Sequence, residues 1–203
     1  MTKISKILLA VSVAVLSSWS AKAEATQVNR VHMPVTGRTS QPIGHYEYCK
    51  RHRADCNLRT IDTRPVKLSR KAWRDLDEVN HMSNNSVRPV TDLDYYNTEE
   101  YWTYPKRFGD CEDYVLMKRK MLMQRGWPAS SLLITVVRQP NGDGHAVLTV
   151  RTDKADFVLD NLRNRILPWQ ETEYRFLKRQ SAANSGRWEG IDDYRSGIVG
   201  SVR

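Results

Sequence analysis

The sequence predicts an α+β domain in which helices come first and an antiparallel β-sheet follows. Two segments with apolar residues at helical spacing lie in the first two thirds of the chain. The last third holds three short apolar, β-branched runs that turn-forming residues separate. Helices followed by consecutive strands are typical of α+β domains, whereas regular alternation of strand and helix would indicate a parallel sheet.

The first 23 residues are predicted to be a secretory signal peptide. Lys3 and Lys6 give a positive start, residues 7–16 form an apolar run, and residues 21–23 (Ala-Lys-Ala) are a small-x-small cleavage site. The apolar run is shorter than the roughly 20 residues that a membrane-spanning helix needs. We therefore expect export, cleavage and no stable membrane insertion.

The charge of the chain favours some partners over others. The formal net charge is +9, and removal of Lys3, Lys6 and Lys22 with the signal peptide leaves +6. The remaining basic residues are scattered among acids and aromatics, so the sequence predicts no nucleic-acid partner. A basic surface suits anionic envelope polymers or acidic protein substrates, or serves only to keep the protein soluble.

Cleavage of the signal peptide leaves about 180 residues, and a chain of that size buries a substantial core. Within it, the predicted domain spans residues 45–203. Residues 24–44 are predicted as an irregular lead-in, because two prolines and two glycines interrupt any periodic pattern. Residues 45–60 are polar and are predicted to form turns. Cys49 and Cys56 lie there, and such a pair often closes a small disulfide loop in an oxidising compartment.

The first long helix is predicted to begin after Ser69, which is a suitable N-cap, and to end before Pro89. Its inward face is marked by residues at helical spacing: Trp73, Leu76, Asn80, Asn84 and Val87. Asn80 and Asn84 therefore face inward, and a buried amide needs hydrogen-bond partners. Either these amides tie down a neighbouring loop, or one of them lines an active cleft.

The second long helix is predicted to begin at Cys111 and to end at Gly126 and Pro128. Its apolar face is formed by Tyr114, Val115, Met117, Met121 and Leu122. Arg119 and Lys120 are predicted to point to solvent.

The strands are predicted over residues 132–137, 145–150 and 157–162. Asn-Gly-Asp-Gly at residues 141–144 is a strong turn signal, and residues 153–156 form the next turn. The three strands should therefore form an antiparallel meander.

Cys111 is left over from the cysteine pair, and an odd cysteine in an exported chain calls for an explanation. Its place at a helix N-terminus favours the thiolate, which is the nucleophilic form. Neighbouring acids oppose that effect, so a second cation is needed, and His145 is the candidate. Asp160 is the candidate residue to orient His145, which gives the order of a papain-like triad.

The turn length decides whether His145 and Asp160 can meet. A loop of two or four residues puts both side chains on one face of the sheet, and a loop of three residues puts them on opposite faces. With a two-residue loop at residues 153–154, His145 lies opposite Leu162. Asp160 is then a diagonal neighbour, at roughly 7–8 Å between Cα atoms.

Three acids surround the cysteine: Asp110, Glu112 and Asp113. Acids in the first turn of a helix suit the helix dipole, and that alone explains them. They are also hard oxygen ligands of the kind that Ca²⁺ prefers. Both interpretations stay open on the residues alone.

Motifs across most of the exported chain carry a resemblance to a known family. They are Pro42-Ile-Gly44, the Cys49 and Cys56 loop, Trp73-x-x-Leu76-x-x-Val79-Asn80, Val90-Thr-Asp92, Trp102-x-x-Pro105, Gly109-Asp-Cys-Glu-Asp-Tyr114, Lys118-Arg119, Leu122, Gly144-His-Ala-Val-Leu148 and Val158-Leu-Asp-Asn161. With these the chain resembles the bacterial transglutaminase-like cysteine proteinases, whose members include periplasmic adhesin-cleaving proteases of the LapG type.

This resemblance implies a papain-like or transglutaminase-like core with N-terminal helices packed on an antiparallel sheet. It implies Cys111 as nucleophile, His145 as general acid and base, and Asp160 as the residue that orients it. It also implies three calcium ligands, Asp110, Glu112 and Asp113. The implied activity is calcium-dependent periplasmic endoproteolysis through an acyl-enzyme. A large surface adhesin as substrate and an inner-membrane receptor as regulator are further implications from particular subfamilies.

Two other functions remain open on the sequence. One is acyl transfer from glutamine to an amine, since water and amine compete for the same acyl-enzyme. The other is a non-catalytic binding module that keeps the fold. For the oxyanion hole, the backbone N–H of Cys111 is the default donor, and Trp102 and Asn80 are further candidates.

Overall fold

The computed structural model describes residues 30–197. The predicted signal peptide, residues 1–23, lies outside the described residues. Within residues 30–197, no helix is both long enough and apolar enough to cross a membrane.

The described chain contains short and long helices, nine strands and three single-turn 3₁₀ helices. The helices are α1 (Ile43–Arg51), α2 (Arg53–Cys56), α3 (Arg70–Ser86), α4 (Asp92–Tyr96) and α5 (Cys111–Gln124). The strands are β1 (Val35–Thr39), β2 (Arg88–Pro89), β3 (Phe108–Gly109), β4 (Leu132–Arg138), β5 (Gly144–Arg151), β6 (Asp156–Leu159), β7 (Leu167–Pro168), β8 (Arg175–Ser181) and β9 (Asn184–Ile191). The 3₁₀ helices are Ala129–Ser131, Trp169–Glu171 and Tyr194–Gly197.

Seven strands form one antiparallel sheet in the order β1-β9-β8-β4-β5-β6-β7. Strands β2 and β3 form a separate parallel pair. Helix α5 packs on β4 and β5, and α3 packs on α5. Helices that precede and cover an antiparallel sheet are the α+β arrangement that the sequence predicts.

The alternation of side chains along β5 divides the core between the two faces of the sheet. Ala146, Leu148 and Val150 belong to the larger apolar cluster, which includes residues of α3 and α5. Val147 belongs to the cluster on the other face, which includes Trp169. The central strands are thus buried on both faces, and the sheet is a rigid base for residues at the ends of its strands.

Helix α3 begins as predicted, because the Ser69 hydroxyl accepts a hydrogen bond from the backbone N–H of Ala72. The Asn80 side-chain amide donates to the carbonyls of Arg163 and Asn164. Asn84 in turn donates to the carbonyl of Asp160, at 2.9 Å. The asparagines therefore tie down the loop that follows β6, as the first of the two interpretations predicts.

Two predicted segments are wrong in their local structure. Residues 24–44 are not irregular throughout, because they contain β1, which pairs with β9. All residues of β1 are exposed, so the strand lacks the alternation that would reveal it in the sequence. Residues 45–60 contain most of α1 and all of α2, rather than turns, and a disulfide between Cys49 and Cys56 links these helices.

Two basic residues of α5 lie in the interior. Arg119 is buried, not exposed as predicted, and its Nε donates to the carbonyl of Leu132. Lys118 is fully buried, and its Nζ has no hydrogen-bond partner among the described residues. Lys120 is exposed, as predicted. A helix covered on more than one side buries residues that a single apolar stripe assigns to solvent.

Candidate active site

Cys111 is the first residue of α5 and lies against the start of β5. Its Sγ accepts a hydrogen bond from the backbone N–H of Ala146, at 3.3 Å. The thiol also donates to Oε2 of Glu112, at 2.9 Å. Contact with Ala146 sets the sulfur beside the residue that follows His145 in the chain.

His145 and Asp160 meet as the two-residue turn predicts. Leu148 pairs with Leu159 and Arg151 with Asp156, so the register of β5 and β6 centres on residues 153–154. Nε2 of His145 lies 2.9 Å from Oδ1 of Asp160, and both side chains are buried. Because Nε2 is engaged, Nδ1 is the nitrogen left to exchange a proton with a thiol.

Asp160 has further partners that hold it in place. Tyr174, on the loop before β8, donates its hydroxyl hydrogen to Oδ2 at 2.5 Å, and the backbone N–H of Leu162 donates to Oδ1 at 3.0 Å. Burial alone would raise the pKa of Asp160, but the hydrogen bonds from His145 and Tyr174 hold that pKa below its usual value. Sequence reasoning missed Tyr174, since nothing in its local pattern marks it.

An open cleft runs across the nucleophile. One cavity of about 360 Å³ and another of about 440 Å³ share Cys111, Gly144 and His145 among their lining residues. Trp102 lines the first cavity and Leu162 lines the second. An extended chain laid across Cys111 therefore finds room on both sides of the sulfur.

Three groups were candidates for the oxyanion hole, and the structure separates them. Trp102 lies in the cleft with Cys111, but its indole N–H donates to Oε2 of Glu100 at 2.9 Å. Asn80 is fully buried and donates to the loop after β6, so it does not line the cleft. The backbone N–H of Cys111 remains the default donor.

The acidic residues beside the cysteine do not all face the same way. Asp110 and Asp113 join Asp92, and one oxygen from each lies within 4.8 Å of the others. Glu112 is not part of this group, because its carboxylate turns to the thiol of Cys111. The structure therefore brings together two of the three predicted ligands and adds Asp92, which sequence distance had hidden.

This acidic cluster has the properties of a cation site. Oδ1 of Asp110 and Oδ2 of Asp113 are buried without a hydrogen-bond partner among the described residues. Burial raises the pKa of Asp113 to about 8, while burial and the charge of Asp92 raise that of Asp110 to about 6. Buried, unpaired carboxylate oxygens in close contact fit a divalent cation that prefers oxygen ligands.

Burial and neighbouring carboxylates also affect the pKa of the candidate nucleophile, Cys111. Burial and the adjacent carboxylate of Glu112 raise the pKa of the Cys111 thiol. Burial and the charge of Asp110 raise the pKa of Glu112 to about 9. In this arrangement burial and the neighbouring acids favour the neutral thiol over the thiolate, despite the helix N-terminus.

Residues 35–196 match the model of the bacterial transglutaminase-like cysteine proteinases, and that match covers most of the chain. The chain belongs to this family. The transglutaminase-like α+β fold is therefore confirmed. No curated protein sequence matches the chain.

Three solved structures of Legionella pneumophila LapG are similar to this proteinase-family chain. One LapG structure is 24% identical with a TM-score of 0.50, and the match covers 62% of this chain and 72% of the LapG chain. An EGTA-treated form is 25% identical with a TM-score of 0.50, and the match covers 63% of this chain and 74% of the LapG chain. A calcium-bound form is 25% identical with a TM-score of 0.48, and the match covers 54% of this chain and 65% of the LapG chain. This chain thus spans less than two thirds of the length of the calcium-bound structure.

Proposed function

We propose that this protein is a cysteine endopeptidase with Cys111 as nucleophile, His145 as general acid and base, and Asp160 as the residue that orients His145. One observation carries the proposal. Cys111 and His145 line the same open cleft, while Asp160 binds the far side of the imidazole. Nucleophile, base and orienting carboxylate in this order are the parts that covalent acyl transfer requires.

The proposed reaction uses each group at a defined atom. Nδ1 of His145 takes the thiol proton, and Sγ of Cys111 attacks the carbonyl carbon of the scissile peptide bond. The imidazolium gives that proton to the leaving amine as the C–N bond breaks, which leaves an acyl-enzyme. His145 then takes a proton from water as the water oxygen attacks the acyl carbon, and the C–S bond breaks. The acid leaves, and the imidazolium returns the proton to the sulfur of Cys111. Asp160 keeps its proton-free form throughout and stabilises the imidazolium.

The cleft supports cleavage within a chain rather than at its end. Cys111 and His145 line both cavities, so the chain on either side of a scissile bond at the sulfur has a space to occupy. An extended polypeptide is therefore the substrate that the cleft suits. Following the family resemblance, we propose a surface adhesin as substrate, an inner-membrane receptor as regulator and the periplasm as the site of action.

We propose that Asp92, Asp110 and Asp113 hold Ca²⁺, with Glu112 as the further ligand that the family resemblance implies. Support comes from the unpaired buried oxygens of Asp110 and Asp113. Among the similar structures, a LapG form is named as EGTA-treated. A bound calcium ion supplies positive charge that offsets the carboxylates beside Cys111.

The direct test is cleavage of a diverse peptide library, followed by mass spectrometry in the presence of calcium. We expect the wild-type chain to cleave internal bonds and both Cys111→Ala and His145→Ala to leave the library intact. His81→Ala is the matched control, because His81 lies partly exposed on α3 and outside the cleft, and it should cleave like the wild type.

The same experiment separates the other functions. Addition of a primary amine should change little if water is the acceptor. Incorporation of that amine into glutamine side chains, without cleavage, would instead identify an acyl transferase. A wild type that neither cleaves nor transfers, yet binds peptides as well as Cys111→Ala does, would refute the peptidase and leave a binding module.

A further inference from the structure

A separate cavity lies away from the active-site cleft, and a buried cationic side chain lines it. It has a volume of about 220 Å³ and lies between the segment after α2, the 3₁₀ helix before β4, and the turn between β8 and β9. Arg119 of α5 lines it, with Arg59 at its rim and Ser130 and Thr60 beside them. It shares no lining residue with either cavity around Cys111.

Arg119 has an incomplete set of partners. It is only 4% exposed, and its Nε donates to the carbonyl of Leu132 at 3.0 Å. Within residues 30–197 Arg119 forms no ion pair, and it also lines a neighbouring cavity of about 510 Å³ together with Asp55 and Tyr104. A guanidinium carries five N–H donors, and the terminal nitrogens of Arg119 are not sealed from solvent, so a ligand can reach them.

The neighbouring carboxylate does not satisfy this arginine. Asp55 is close enough to Arg119 for their charges to interact. Its Oδ2, however, accepts hydrogen bonds from the hydroxyls of Tyr48 and Tyr104, at 2.5 and 2.7 Å. Asp55 is therefore held by the tyrosines, and it forms no ion pair with Arg119.

The lining of the cavity has one sign of charge. Arg59 and Arg119 are its two charged residues, and no carboxylate lines it. Ser130 is buried and lines the cavity. Apolar side chains, including Leu58 and Leu133, complete the wall. A planar guanidinium beside a hydroxyl suits the oxygens of a carboxylate or phosphate.

We propose that this cavity binds a small oxyanion, either a carboxylate or a phosphate of a few heavy atoms, between Arg119 and Arg59. The volume is below the roughly 300–1,000 Å³ of pockets that take drug-sized ligands. The ligand is therefore a small acid or an acidic group, and its oxygens meet Arg119, Ser130 and Arg59. The site does not depend on the peptidase activity.

The test measures the unfolding temperature of protein freed of metal on a chelating resin, against rising sodium phosphate and, separately, sodium succinate. Sodium chloride keeps the ionic strength constant, because screening alone also shifts stability. We expect the temperature to rise and saturate with at least one probe, as binding to the folded state requires. Saturation with only phosphate or only succinate identifies which oxyanion the cavity prefers.

Variants locate the binding. Arg59→Glu reverses an exposed charge at the rim, and we expect it to weaken the affinity at least about tenfold, the loss expected for one charge-assisted hydrogen bond. Arg187→Glu, also exposed but outside the cavity, is the matched control and should bind like the wild type. Arg119→Met should abolish binding if this variant folds. If it does not fold, Arg59→Glu still tests the cavity, because Arg59 is exposed.

Two results would overturn the proposal. A rise that is the same for both probes and for chloride, without saturation, would show a general salt effect. Saturable binding that Arg59→Glu and Arg187→Glu weaken equally would show attraction to the net positive charge of the protein rather than to this cavity.

Discussion

Replacing Lys118 with methionine is expected to stabilise the protein by on the order of 4 kcal/mol at pH 7. Lys118 is fully buried in α5, and its Nζ has no hydrogen-bond partner among the described residues. Burial lowers the pKa of Lys118 from 10.5 to about 7, although attraction to Asp160 partly opposes this. Methionine has a similar length and no charge to desolvate, so the penalty disappears.

The stabilisation expected for Lys118→Met depends on pH, because the pKa of Lys118 is lower in the folded chain than in the unfolded chain. Between about pH 7 and 10.5 the unfolded chain binds a proton at Lys118 that the folded chain does not. The stability of the wild type should therefore rise with pH across this window, and the advantage of Lys118→Met should shrink and vanish near its upper end. Urea unfolding at several pH values measures both quantities.

Lys120→Met is the matched control, because Lys120 is an exposed lysine of the same helix. It should change the free energy of unfolding by less than about 0.5 kcal/mol at every pH. A Lys118→Met variant that is less stable than the wild type at pH 7 would mean that the ammonium has a favourable partner, with Asp160 as the first candidate.

Calcium affinity is expected to fall at least about tenfold in Asp110→Asn and in Asp113→Asn, because each change removes a charged oxygen ligand. Isothermal titration of the metal-free protein measures this directly and needs no substrate. Both residues belong to the ligand set that the family resemblance implies and to the cluster in the structure. They are therefore the safest test of the site.

The cluster in the structure contains Asp92 as its third carboxylate, whereas the ligand set that the family resemblance implies contains Glu112. Variants of these two residues distinguish the two sets. Asp92→Asn should weaken calcium binding because an oxygen of Asp92 lies within the cluster. Glu112→Gln should weaken it only if Glu112 leaves the thiol of Cys111. Glu171→Gln removes an exposed carboxylate elsewhere and should have no effect. Equal affinity in Asp110→Asn, Asp113→Asn and the wild type would refute the proposed site.

The sequence predicted the central part of the fold because its signals are local. Ser69 caps α3, Cys111 opens α5, and the turn at residues 153–154 sets the register of β5 and β6. The side-chain period of a strand then fixes that His145 and Asp160 share a face. The starts of the helices depend on residues close together in the chain, so one sequence suffices to find them. The sequence left turns of two, three or four residues open, and the structure selects the two-residue turn.

Features that depend on distant parts of the chain were missed. Strand β1 gains its stability from β9, more than 140 residues later, and its own residues show no alternation. Tyr174 meets Asp160 only through the tertiary fold. Arg119 was assigned to solvent because a helical stripe cannot reveal that segments on other sides of the helix also cover it. Such contacts are invisible to periodicity.

In the candidate site too, the sequence predicted some features, and others depend on contacts between residues that are distant in the chain. The order of Cys111, His145 and Asp160 in the chain sufficed to propose a triad, and the structure brings His145 and Asp160 together. Asp92 could not be assigned to the acidic cluster, since it lies 18 residues before Asp110. The direction of Glu112 also depends on side-chain packing around the thiol.

The most direct test of the proposed triad is the rate at which iodoacetamide alkylates Cys111, measured from about pH 4 to 9 with calcium and with chelator. Cys49 and Cys56 are joined in a disulfide, so Cys111 is the free thiol that reacts. We expect that, with calcium, the wild type reacts well below the ordinary thiol pKa of about 8.5, and that His145→Ala loses this reactivity. An ordinary thiol titration that is indifferent both to His145→Ala and to calcium would contradict it.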